Sequence, residues 1–69
     1  MDKELLINQA IPDALKQINS KSMLLKQMLN GYSNAKNKSV ADDYIKLAIK
    51  SSNEMMTYIQ LIRDTLTTL

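Results

Sequence analysis

The sequence predicts an all-α fold, a helical hairpin of two long antiparallel helices, and three observations predict it. Ala41, Ile45, Ala48, Ser52, Met55, Ile59, Ile62, Leu66 and Leu69 recur at alternating spacings of four and three. Only an α-helix gathers such positions on one face. Ile7, Ile11, Ala14, Ile18, Lys21, Leu25 and Met28 repeat the pattern in the first half of the chain. Between the two seams lies a polar stretch, Gly31-Tyr32-Ser33-Asn34-Ala35-Lys36-Asn37-Lys38, rich in turn formers.

The elements follow in order. Asp2 can cap a first helical turn, with Glu4 placed against the positive end of the helix dipole. Pro12 costs a hydrogen bond and crowds the preceding turn. Because the seam keeps its spacing across the proline, the expectation is a kinked but continuous first helix over residues 2–30; a break there is the alternative. Gly31 is expected to end this helix in a left-handed conformation. A loop over residues 31–38 follows, and Ser39 caps a second helix over residues 39–68, with Asp42 three residues on. A turn centred near Ala35 brings the seams together as one hairpin domain. Ile59 then lies in the seam, so Ile59→Asp is expected to unfold the chain.

Sixty-nine residues make one small domain. Ordering a chain of this length costs on the order of 100 kcal/mol, at about 1.5 kcal/mol per residue, and a core this small does little more than balance it. Disulfides, a metal or a second subunit usually make up the difference. There is no cysteine and no histidine, so no disulfide, no thiolate site and no imidazole ligand or base. Association remains.

The apolar residues support it, because they exceed what one stripe per helix can hide. Leu15, Leu24 and Leu29 on the first helix, and Tyr44, Leu47, Ile49, Met56, Tyr58 and Leu61 on the second, flank the seams or lie off them. A stripe this wide implies a further packing partner. The expected partner is a second copy, giving a homodimeric four-helix bundle; another protein on the same surface is compatible with that. Charge adds a second candidate surface. Residues 17–53 hold Lys21, Lys26, Lys36, Lys38, Lys46 and Lys50 against Asp42 and Asp43, a balance of +4. The remainder holds Lys3, Lys16 and Arg63 against Asp2, Glu4, Asp13, Glu54 and Asp64, a balance of −2. Those six lysines form a candidate patch for an anionic partner such as nucleic acid. None of them is an arginine able to make bidentate contacts.

No catalytic, cofactor-binding or metal-ligating constellation is present. Asp42 and Asp43 are adjacent, so on a helix they diverge by about 100° and cannot work as a pair. No Gly-rich phosphate loop or nucleophile elbow occurs. A small-molecule substrate is therefore not expected. Asp2-Lys3-Glu4 and the short apolar run after it do not make a signal peptide, and no apolar run reaches the length of a membrane span. The expected setting is cytoplasmic, and the Asn, Lys, Ile and Met usage points to the AT-rich genome of a phage or low-GC bacterium. Together these readings predict a small non-enzymatic interaction or regulatory module. The alternatives are a nucleic-acid-binding bundle using the lysines near the turn, or a structural subunit of a larger assembly.

Overall fold

The computed structural model describes residues 2–69 and contains two helical arms folded back on each other. The first arm is a short α1 (Lys3–Leu5), a π-helical turn (Leu6–Ala10) and α2 (Ile11–Ser33); the second is α3 (Lys38–Thr68). The hairpin measures 51 × 15 × 10 Å, with a radius of gyration of 15.7 Å. A compact chain of this length would have a radius near 11 Å. The molecule is thus a slab one helix thick.

The first arm starts as the sequence reading expects. The Asp2 carboxylate accepts a hydrogen bond from the Glu4 N–H at 3.0 Å, satisfying one of the otherwise orphaned donors of the first turn. Pro12 neither breaks the arm nor leaves its phase intact. Leu5, Leu6, Ala10 and Ile11 all keep right-handed helical dihedrals, and the Ile11 N–H donates to the Leu6 carbonyl, five residues back. This widened turn makes room where the proline ring would otherwise collide with the carbonyl of Asn8. It also holds one extra residue, which rotates everything before it. Leu6 and Ala10 are therefore half-buried against the second arm, and Ile7, expected in the seam, is 52% exposed.

Gly31 does not end the helix. No glycine has positive φ, and α2 continues to Ser33. The stop is made by Asn34, whose side-chain amide donates to the Asn30 carbonyl at 2.9 Å. The loop is accordingly shorter than expected, residues 34–37. The cap of the second helix is Asn37, whose side-chain oxygen accepts from the Val40 N–H at 2.9 Å, and Ser39 lies inside the first turn. Gly31 has a different task. Helical side chains lean toward their own N-terminus, so the Tyr44 ring lies over the turn before it and covers Gly31. A Cβ at Gly31 would come within 2.6 Å of Tyr44 Cζ. Alanine is the better helix former by about 1 kcal/mol, yet Gly31→Ala is expected to lower the thermal unfolding midpoint. In a Tyr44→Ala background the same change is expected to raise it by a few degrees, roughly what 1 kcal/mol gives a chain of this size. Circular dichroism melts of the four chains test this; a single variant more stable than the parent would show that the ring swings aside freely.

The buried interior is small. Among the described residues, Ala14, Ala48 and Ser51 lose nearly all contact with solvent. Ile11, Ile18, Leu25 and Met28 meet Tyr44, Ile45, Met55, Tyr58 and Ile62 in a half-buried layer, because each large side chain is covered from one side only. On α3 the buried and half-buried positions are Ala41, Tyr44, Ile45, Ala48, Ser51, Ser52, Glu54, Met55, Tyr58, Ile62 and Thr65. The expected track stays half-buried at Ile45 and Ser52 but is turned outward farther along, Ile59 and Leu66 being 53% and 55% exposed. The helix has rotated toward its more polar edge.

Candidate functional site

Two specific contacts set that rotation. Tyr44 must face Gly31, and Glu54 forms an ion pair with Lys21 of the first arm. Glu54 lies one helical turn from both Ser51 and Tyr58, so it reaches Lys21 only when that edge of α3 is turned inward. The pair is part-exposed, with 25% of the Lys21 side chain and 36% of the Glu54 side chain open to solvent. The hydrogen bond between the two raises the lysine above its ordinary pKa and holds the Glu54 carboxyl below the usual carboxylate range. Partial desolvation opposes both shifts.

The pH dependence follows from linkage. Glu54 binds its proton less tightly when folded, so its contribution is present above the ordinary carboxylate range and is lost as pH falls through its lowered value. Lys21 binds its proton more tightly when folded, so its contribution is present below the ordinary lysine range and is lost as pH rises through its raised value. The thermal midpoint is therefore expected to drop on acidification, and Glu54→Gln is expected to flatten part of that drop. Because solvent reaches the pair, the difference is small. Parallel acid profiles for the two chains would remove Glu54 as the cause.

The hairpin slab has two broad faces, and the candidate apolar residues divide between them. A shallow groove on one face is lined by Lys21, Leu24, Met28, Leu47, Lys50, Ser51 and Glu54; helical phase adds Leu61, two turns beyond Glu54. This face carries charge at its centre. The opposite face carries Leu15 and Leu29 from α2 and Ile49 and Met56 from α3, together with Ile59 and Leu66 of the outward track. Every one of these six is exposed, and the middle of the face, at Ser22 and Ser52, carries no charge, with Lys26 and Arg63 at its flanks. Tyr44 and Tyr58 belong to neither face; both are half-buried toward the other arm. Sequence reasoning placed Ile59 and Leu66 in the internal seam and so missed them as surface residues. The available signal was that Ile45, Ser52, Ile59 and Leu66 form a second heptad track, four residues on from Ala41, Ala48, Met55 and Ile62.

The six lysines lie at different places on the loop half of the slab. Lys21 is engaged by Glu54, and Lys50 lies beside that same carboxylate and contributes to its lowered pKa. Lys36 and Lys38 flank Asn37 at the loop, while Lys26 and Lys46 are exposed on separate arms. Among the described residues no helix is long and apolar enough to cross a membrane. The sequence matches no protein-family model, no curated protein and no solved structure.

Proposed function

We propose that this chain is a non-enzymatic protein–protein interaction or regulatory module that works as a homo-oligomeric helical bundle. The observation that carries the reading is the surface the hairpin leaves wet. Fifteen large apolar side chains are exposed among the described residues. The accessible surface is 5439 Å², against about 4,400 Å² for a compact monomer of 7.8 kDa. The excess, about 1,000 Å², slightly exceeds the roughly 800 Å² that each partner contributes to a standard stable interface. Covering one broad face would supply the second layer that small helical domains need. The face left outside, with its charged groove, is where a different protein would be met. Sedimentation equilibrium over a concentration series tests the reading. A mass at a multiple of 7.8 kDa supports it, and a mass of 7.8 kDa throughout overturns it.

A further inference from the structure

We infer that the uncharged face is the interface between two copies of this chain, and that the copies lie end-reversed, with α3 of one across α3 of the other about a perpendicular twofold axis near Ser52. This rests on the homo-oligomeric reading and adds to it the face and the orientation.

The choice of face comes from charge. One face holds the Lys21–Glu54 ion pair and Lys50 at its middle, and stacking a second copy there would desolvate those charges. The other presents only apolar and small neutral side chains through its middle, and Ser52, at its centre, already donates its hydroxyl proton to the Ala48 carbonyl at 2.9 Å. That serine can be covered without leaving a donor unpaired.

Orientation comes from the two ends of one track. Asp42, Ile49, Met56 and Arg63 follow each other at heptad spacing along the edge of this face. The acid sits near the loop and the base near the open end, both exposed. They are 21 residues apart on one straight helix, about 32 Å, too far to meet within a chain. In an end-reversed dimer, Asp42 of each copy comes beside Arg63 of the other, twice. With the loops at the same end, α3 would instead cross α2 of the second copy and neither residue would find its opposite. Arg63 has a neighbour of its own in Asp64 at 3.7 Å, but both are largely exposed, so the guanidinium remains available to a second acid. The wider distribution agrees: the +4 half of one copy lies over the −2 half of the other.

The experiment uses the full chain, whose lack of cysteine allows single probes. Ser52→Cys is expected to link to itself under mild oxidation, since that position lies close to the axis, while Leu47→Cys on the opposite face is not. Asp42→Arg and Arg63→Asp should each weaken dimerisation, by roughly tenfold, and the two together should restore it. The readouts are the disulfide-linked fraction and the dimer dissociation constant from sedimentation. A parent chain of 7.8 kDa at every concentration overturns the oligomeric reading itself. A dimer in which Ser52→Cys fails to link, Leu47→Cys links, or the charge swap fails to restore affinity overturns this inference while leaving that reading intact.

Discussion

Placing an aspartate at Ala48 is expected to abolish the folded hairpin. Ala48 is 7% exposed and lies on the inward face of α3, where its small size lets the two arms approach. Among the described residues a carboxylate there meets no uncommitted inward-facing cation, since Lys21 is already held by Glu54. Burying an unpaired charge costs several kcal/mol even after relaxation. A chain of this length has only about 3–5 kcal/mol of stability to lose. The helical signal in circular dichroism should therefore collapse at 25 °C. Ala48→Ser is the control. A serine in a helix can donate to the carbonyl four residues back, as Ser52 does, so this change should cost about 1 kcal/mol and leave the fold in place. A well-folded Ala48→Asp chain would mean that the two arms do not meet at this level.

Ile59→Asp is expected to act on assembly instead of on the hairpin. Its side chain is 53% exposed and faces away from the first arm, so the internal packing of one copy does not need it. In the proposed dimer, however, the change places a carboxylate in the apolar interface twice over. A penalty of about 3 kcal/mol in total is a conservative expectation, and it weakens association at least ~100-fold. Sedimentation should show the mass falling to 7.8 kDa at concentrations where the parent chain is dimeric, with most of the helicity retained. Helicity lost at every concentration would return Ile59 to the seam between the arms.

The contrast between these two positions shows how far the sequence could be read. Heptad spacing in each half and a polar break between them are enough to specify two helices and their hairpin, and the Asp2 cap is local chemistry that needs no tertiary information. The rotation of α3 is another matter. Tracks three and four residues on from Ala41 can each serve as the seam, and by hydrophobicity alone Ile45, Ile59 and Leu66 favour the latter. Two contacts, Tyr44 on Gly31 and Glu54 with Lys21, turn the former inward and carry Ile59 and Leu66 of the latter outward, while Ile45 and Ser52 stay half-buried; each contact joins residues distant in sequence. The first of these contacts also explains Gly31, which as an isolated letter reads as a helix stop but serves as a seat for a ring. Asn37 displaced Ser39 as the cap because either side chain suits that role. The choice rests on where the loop ends. The apolar surplus was visible in composition, whereas its division into a charged and an uncharged face needed the rotation first.

The widened turn before Pro12 has a consequence for how this chain tolerates change in length. Its extra residue keeps the backbone clear of the proline ring, so deleting one amino acid between Leu6 and Ala10 would tighten that coil onto Pro12 and is expected to be tolerated only when Pro12 is replaced as well. An equal deletion downstream of Ile11 would spin half the arm off its mate. A shorter front is therefore tied to the loss of the proline, and the rest of the first rod offers no such exchange.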